Sequence, residues 1–173
     1  MKSIKNAVLF VAALFLSINA EAQTTKDIVD VAAGSKKHTT LVQAIKAADL
    51  VNTLKSQGPF TVFAPTNKAF RKLPDGTLDN LLKPENKAKL AGILTYHVVA
   101  GNLDKKAVLE AIKAGGGMAT LTTVAGGKLK ATVVKRKIIL TDEKGGKATV
   151  KASNLTASNG VIHVIDSVLM PKN

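Results

Sequence analysis

The chain has 173 residues, of which 46% are hydrophobic, and it contains no cysteine. A chain of this length buries enough surface to hold one core without disulfides, and the absence of thiols excludes a disulfide framework and a thiolate zinc site. The net charge of +13 favours polyanions such as acidic polysaccharide, lipopolysaccharide phosphates or nucleic acid as partners, and a solvated lysine-rich surface that keeps the protein soluble is the alternative.

The first 22 residues have the pattern of a secretory signal peptide. Two lysines precede an apolar run over residues 7–16, and Ala20-Glu21-Ala22 provides a cleavage site. The apolar run is shorter than the roughly 20 residues that a membrane-spanning helix needs, and no later segment approaches that length. We therefore expect cleavage after Ala22 and a secreted or periplasmic protein without a transmembrane segment, in which residues 23–173 form a single domain.

The first half of the remaining chain predicts helices. Residues 27–33 form a short apolar segment that ends at a glycine typical of a helix C-cap. Thr40-Leu41-Val42-Gln43 has the form of a capping box at the start of a second helix. Pro84 opens the longest amphipathic segment, and Asp104 is the predicted N-cap of a further helix. Between these helices, residues 60–64 predict the first buried strand.

After three consecutive glycines at positions 115–117 the hydrophobic period changes from helical to two. Apolar residues alternate with lysine or threonine in 128–133 and again in 147–152, and a Gly-Gly turn precedes each segment. Residues 138–140 and 161–165 are apolar on both faces, which is typical of strands inside a sheet. Helices first and strands second favour an α+β fold over a doubly wound sheet.

Four lysines in these strands are candidates for a polyanion-binding site. Lys128 and Lys130 alternate with apolar residues in one predicted strand, and Lys147 and Lys151 lie on one side of another. If the two strands are neighbours with matching faces, the four side chains form one stripe. Ammonium groups suit loose binding of phosphate or carboxylate polymers. No aromatic residue interleaves the stripe, so we expect no single-stranded platform and no sequence-specific nucleic-acid binding.

Two short segments carry a resemblance to a known family. Residues 61–70 read TVFAPTNKAF, and residues 158–166 read SNGVIHVID. In this order, and within the size of an ordinary domain, they resemble the two signature boxes of the fasciclin (FAS1) domain. Tyr96-His97 matches the Tyr-His motif of that family, and residues 168–171 match its usual end.

The resemblance implies a fasciclin-like α+β fold, with a wedge-shaped β-sheet arrangement flanked by several helices, in a single-domain secreted protein of bacterial type. It implies a non-enzymatic, extracytoplasmic adhesion or matrix module but names no ligand. Together with the positive charge, it makes acidic polysaccharide, lipopolysaccharide, another envelope or matrix component, or a cell-surface protein the expected partners. It also makes Tyr96 and His97 a cell-contact motif. The apolar neighbours of this pair favour the alternative of a buried aromatic residue with a hydrogen-bonded hydroxyl.

An envelope-polymer-modifying hydrolase or transferase is the alternative function. Ser167, His163 and Asp166 lie close together in sequence, but they lack a Gly-x-Ser-x-Gly elbow, and adjacent strand residues would point to opposite faces. His97 and His163 lie on apolar faces, which favours hydrogen-bonded core histidines over metal ligands. His38 has no ligand neighbour at a useful spacing. We therefore expect no catalytic residue, no metal and no cofactor.

Overall fold

The computed structural model describes residues 25–172, so the predicted signal peptide, residues 1–22, lies outside the described residues. Among the described residues the helices are α1 (Ile28–Ala33), α2 (Thr39–Ala47), α3 (Val51–Lys55), α4 (Asn67–Phe70), α5 (Thr77–Leu81), α6 (Lys87–Tyr96) and α7 (Lys105–Ala114). The strands are β1 (Phe60–Pro65), β2 (Val98–Ala100), β3 (Met118–Thr122), β4 (Lys128–Val134), β5 (Lys137–Thr141), β6 (Lys147–Ala157) and β7 (Gly160–Ile165). Within residues 25–172 none of the helices has the length and apolar character that crossing a membrane requires.

One seven-stranded sheet organises the fold, with the strands in the order β2-β1-β7-β6-β5-β4-β3. β1 and β7 run parallel, and every other neighbouring pair is antiparallel. The strands of the two signature boxes are therefore direct neighbours, paired from Phe60 with Gly160 to Pro65 with Ile165. The predicted α+β fold class is confirmed, because the helices pack against a sheet that is almost entirely antiparallel.

The second signature box contains a glycine because β1 passes very close to the start of β7. A Cβ atom at Gly160 would overlap the carbonyl oxygen of Phe60. That oxygen belongs to the backbone of the neighbouring strand and cannot swing away as a flexible side chain can. A larger residue would push β1 and β7 apart, so only glycine permits this close approach.

The sheet separates two hydrophobic clusters. Val62 and Ala64 of β1 belong to a cluster that also contains buried residues of α1, α2 and α6. Phe63, between them, belongs to the cluster that contains α7 and β3–β5. Successive side chains of a strand point to opposite faces, so a strand with a core on each side is expected to be apolar at most positions. This explains the composition of β1 and β7, in which the polar side chains of Thr61 and His163 are hydrogen-bonded to backbone carbonyls.

The N-cap predicted at Asp104 is confirmed, since its carboxylate accepts a hydrogen bond of 2.7 Å from the Ala107 amide. The capping box predicted at Thr40 is wrong, because α2 already begins one residue earlier and has His38 at its N-cap position. The Asn67 side chain instead accepts a hydrogen bond of 3.0 Å from the Thr40 amide. A residue 27 positions away in the chain therefore supplies the cap.

The amphipathic segment predicted from Pro84 is divided into three parts. Pro84–Asn86 forms a 3-10 turn, and α6 begins at Lys87. The helix ends before His97, and Val98 begins β2 instead of continuing the helical stripe. This break places Tyr96 and His97 where a helix enters the sheet.

Candidate functional site

The outer face of strands β3–β6 carries three of the four predicted lysines. Lys128 and Lys130 are exposed, whereas Leu129 between them is fully buried. Across the sheet Lys130 lies opposite Thr141, and Thr141 lies opposite Lys147. Residues that face each other in register on adjacent strands share one side of a sheet. These three lysines therefore stand on the same face.

The two lysine-bearing strands are not direct neighbours, as the predicted stripe required, because β5 lies between β4 and β6. The shared face still forms, since β5 pairs with both strands. Lys130 and Lys147 are two strand spacings apart, about 10 Å between their backbones. β5 also contributes Lys137, which is exposed opposite Val134. Sequence reasoning did not assign Lys137 to the stripe, because residues 138–140 are all apolar and show no alternation.

We call this surface the lysine face and define it as Lys128, Lys130, Lys137 and Lys147. The neighbouring outward positions are mostly threonines, namely Thr120, Thr122, Thr132, Thr141 and Thr149. Strands β3–β6 contain no aspartate or glutamate, and within residues 25–172 no lysine of the face forms an ion pair. The face therefore offers ammonium and hydroxyl donors together.

Lys151 differs from the other three predicted lysines. Its Nζ atom pairs with Oδ2 of Asp166 at 3.1 Å, while Oδ1 of Asp166 accepts a hydrogen bond of 2.8 Å from the Thr149 amide. Burial alone would raise the pKa of Asp166, but the bonds from Thr149 and Lys151 outweigh it and hold the pKa below its ordinary value. Lys151 thus lies at the border of the lysine face, and Asp166 compensates its charge.

Tyr96 lies entirely in the interior, with 0% of its surface exposed. Its hydroxyl donates a hydrogen bond of 2.8 Å to the Lys128 carbonyl and accepts one of 3.1 Å from the Glu143 amide. Burial raises the pKa of Tyr96 to about 12, so the hydroxyl keeps its proton. The tyrosine therefore connects the end of α6 to the start of β4 and to the turn between β5 and β6.

His97 is 2% exposed and uses both ring nitrogens inside the protein. Nδ1 lies 2.8 Å from the Ile93 carbonyl, and Nε2 lies 2.9 Å from the Leu169 amide. Because a carbonyl only accepts and an amide only donates, the proton must sit on Nδ1. Burial lowers the pKa of His97 to about 4, so the ring is neutral at physiological pH.

Two acidic residues hold the same segment that His97 holds. Asp142 Oδ2 accepts a hydrogen bond of 2.9 Å from the Met170 amide. Glu143 accepts from the Lys172 amide at 3.2 Å and from the Lys128 amide at 3.0 Å. Tyr96, His97 and Asp142 are buried, and together with the exposed Glu143 they connect residues 169–172 to the end of α6 and the start of β4. A partner would reach the Tyr96 and His97 side chains only if these contacts opened.

The residues of the alternative hydrolase are not assembled. Ser167 Oγ donates to Asp166 Oδ1 at 3.3 Å, so the expectation that these side chains diverge is wrong, because β7 has already ended and strand alternation no longer applies. The His163 ring is engaged elsewhere. Its Nε2 lies 2.7 Å from the Leu103 carbonyl, and its Nδ1 accepts from the Asn154 amide at 3.4 Å. No imidazole therefore reaches the serine.

The three histidines do not converge on a common site. The His163 ring stacks on Phe63 with 5.6 Å between ring centroids. His38 is buried, with Nδ1 2.9 Å from Ser35 Oγ and its pKa lowered by burial. Its Nε2 has no hydrogen-bond partner in the part of the chain that the structure describes. Within residues 25–172 no group of three histidine, aspartate or glutamate residues is arranged to hold a metal ion.

A second cationic surface is formed by segments that the sequence reasoning did not connect. A pocket of about 550 Å³ lies between the loop before α2, helix α4 and the end of β7. We call it the basic pocket; its charged lining residues are Lys36, Lys37, Lys68, Arg71, Lys72, Lys151 and Asp166. The three cationic residues within 68–72 are a signal in the sequence that could have indicated this surface. Their contact with the loop before α2 depends on the tertiary fold and could not be predicted.

Residues 36–171 match the sequence profile of the Fasciclin domain. The chain belongs to the fasciclin family. It is 50% identical to protein sll1483 of Synechocystis, over 88% of this chain and 77% of that protein. It is 38% identical to immunogenic protein MPB70 of Mycobacterium bovis, over 85% of this chain and 70% of that protein. The resemblance that the two signature boxes carry is confirmed.

The fold is also similar to a solved structure, a FAS1 domain pair from the insect cell adhesion molecule Fasciclin I. The TM-score is 0.61 over 73% of this chain, and the sequence identity is 24%. This fasciclin domain spans 43% of the length of that chain. The predicted fasciclin-like fold is therefore confirmed.

Proposed function

We propose that this fasciclin-family protein is a non-enzymatic, exported adhesion module that holds anionic polymers of the cell envelope or matrix. The lysine face is the observation that carries the proposal. It combines four exposed lysines, none of them in an ion pair within residues 25–172, with threonine hydroxyls on strands that lack acidic residues. Such a surface attracts polyanions.

The spacing of the lysines suits a polymer better than a small ion. Lys128 and Lys130 are about 7 Å apart along β4, and Lys130 and Lys147 are about 10 Å apart across the sheet. No single compact anion contacts all of these ammonium groups. A chain with repeated carboxylates or phosphates contacts several at once, and linked weak contacts add up to useful avidity.

Acidic polysaccharide is favoured over the other expected partners. Strands β3–β6 contain no aromatic residue on which nucleic-acid bases would stack. Recognition of a cell-surface protein through Tyr96 and His97 would require buried side chains to become exposed. The adhesion role is supported by the fold that this chain shares with a domain pair from an insect cell adhesion molecule, and export by the signal-peptide pattern of residues 1–22.

Chromatography of the exported protein on an immobilised uronate polymer tests the proposal. We expect retention at low salt and elution as salt rises, because exposed charges are screened within about 10 Å at 0.1 M. The same polymer with its carboxylates reduced to alcohols should not retain the protein. Replacing the four lysines of the lysine face with glutamine should remove most of the retention.

The matched control removes four charges from the helical half. Lys46, Lys83, Lys89 and Lys113 are exposed, and within residues 25–172 they form no ion pair. Changing them to glutamine should leave most of the retention in place. Equal losses in the two variants, or no retention of the unmodified protein at low salt, would overturn the proposal.

A further inference from the structure

We infer that the basic pocket is a second, defined site, which binds a short acidic saccharide such as the end of a uronate chain. The class of ligand rests on the proposed function. The site itself rests on separate residues, because none of the lysines of the lysine face lines the pocket. It would add a specific contact to the loose attraction of the sheet.

The lining of the pocket carries more positive charge than its one acidic residue compensates. Six cationic side chains line it together with one carboxylate, that of Asp166. Lys36, Lys37, Lys68 and Arg71 are exposed and form no ion pair or side-chain hydrogen bond within residues 25–172. Like charges held this close repel one another, and a bound anion relieves that repulsion.

The segments that carry these cations are fixed to one another. Asn67 donates from its side chain to the Lys36 carbonyl at 3.0 Å and from its backbone to the Lys37 carbonyl at 2.8 Å. Thr66 accepts a hydrogen bond of 3.2 Å from the Ala69 amide and so fixes the first turn of α4. The backbone around the pocket is therefore already ordered, and binding a ligand costs little further conformational entropy, which favours affinity.

The opposite wall is equally well held. Lys72 Nζ donates to the Asp166 carbonyl at 2.6 Å and to Ser167 Oγ at 3.3 Å. The Asp166 carboxylate is occupied by Lys151 and by the Thr149 amide. The one acidic group of the pocket is thus already compensated, and it presents no free charge to repel an incoming anion.

The dimensions and lining indicate the class of ligand. A volume of about 550 Å³ falls in the range of small-molecule sites and exceeds what a lone inorganic anion fills. Arg71 has the planar guanidinium that holds a carboxylate through two parallel hydrogen bonds. No aromatic residue lines the pocket, so a neutral sugar would find no ring on which to stack. These features favour a saccharide that is recognised by its carboxylates.

The basic pocket and the lysine face meet at Lys151. Lys151 lines the pocket, and on β6 it lies two residues after Thr149, at the register shift between Val150 and Ala152. A polymer that lies across the lysine face therefore reaches the pocket without crossing an acidic strand. The pocket would receive its chain end.

Titration of the exported protein with a uronate trisaccharide, followed by calorimetry and by amide NMR shifts, tests the inference. We expect saturable one-to-one binding, with shifts in residues 36–37 and 66–72. Lys68→Gln combined with Arg71→Gln should raise the Kd about tenfold or more, as expected for the loss of a charge-assisted hydrogen bond. Lys46→Gln combined with Lys89→Gln removes the same charge and should leave the Kd nearly unchanged.

Three outcomes would overturn the pocket as a saccharide site: equal weakening by both double variants, shifts confined to the lysine face, or inorganic phosphate that binds as tightly as the trisaccharide. The two proposals also fail separately. Retention of the protein on the polymer without saturable trisaccharide binding would refute the pocket as a site and leave the proposal for the lysine face standing. Trisaccharide binding without retention on the polymer would refute the lysine face and leave the pocket standing.

Discussion

Nε2 of His97 accepts a hydrogen bond of 2.9 Å from the amide of Leu169, 72 positions further along the chain. The contact joins the end of α6 to a segment whose Leu169 side chain is fully buried. It exists only for the neutral ring, because a protonated Nε2 would point an N–H group at another N–H group. The Tyr-His motif thus contains a bond that protonation breaks.

This bond predicts that stability falls as the pH is lowered through the histidine range. Burial lowers the pKa of His97 from 6.5 to about 4, so between these values the unfolded chain binds a proton that the folded chain does not. The free energy of unfolding therefore rises with pH across this window and levels off above about 6.5. The shift corresponds to about 3 kcal/mol. Urea denaturation at a series of pH values measures it.

The variant His97→Gln provides the control for this pH dependence. The variant should be less stable at neutral pH. Its free energy of unfolding should also rise less steeply with pH, because the number of protons taken up on unfolding falls by up to one per molecule. His38 and His163 should account for most of the remaining slope in the upper part of this window, since burial lowers their pKa values as well. Near pH 4 the carboxyls with lowered pKa values, such as Asp166, should add to it. A slope identical to that of the unmodified protein would show that His97 titrates like an exposed histidine.

Tyr96→Phe should destabilise the protein without removing any ring packing. The hydroxyl bonds to the Lys128 carbonyl and the Glu143 amide, and both groups would lose a partner in a partly buried place. We expect a loss of about 1–3 kcal/mol in the free energy of unfolding, measured by urea denaturation. Unchanged stability together with lost binding to cells would instead favour a direct contact role for Tyr96.

A pair of glycine substitutions tests how tightly the Tyr96 ring is held. A Cβ atom at Gly127 would lie 2.5 Å from Cε2 of Tyr96, and the bonded hydroxyl prevents the ring from turning away. Gly127→Ala should therefore cost about 1–3 kcal/mol. Gly92→Ala is the matched control. Nothing lies within 4 Å of its Cβ position, and alanine in the middle of α6 should stabilise by up to about 1 kcal/mol. Thermal unfolding that shows the same effect for both would contradict this packing.

Local patterns account for much of what the sequence predicts correctly. The strands of both signature boxes, the Asp104 cap and the outward direction of Lys128 and Lys130 depend on residues only a few positions apart. The fold class follows from the order of the helical and strand periods. These features are confirmed because the periodicity of a segment is a property of the segment alone.

The features that the sequence did not predict depend on distant contacts. Asn67 replaces the predicted Thr40 capping box and fixes the loop of Lys36 and Lys37 at the same time. No periodicity reveals such a bond between segments about thirty residues apart. Lys137 was missed because the apolar run after it resembles a strand buried on both faces, whereas Ile139 lies on the outer face opposite Thr132.

The central claim, that the lysine face holds anionic polymers, is tested most directly by acetylation of lysine amines with and without a uronate polymer, read out by mass spectrometry. We predict that the polymer slows the reaction of the lysine face, which consists of Lys128, Lys130, Lys137 and Lys147. The exposed lysines of the helical half should react at an unchanged rate; they are Lys46, Lys83, Lys89 and Lys113. Protection spread evenly over both sets would show that net charge alone attracts the polymer and would contradict the claim.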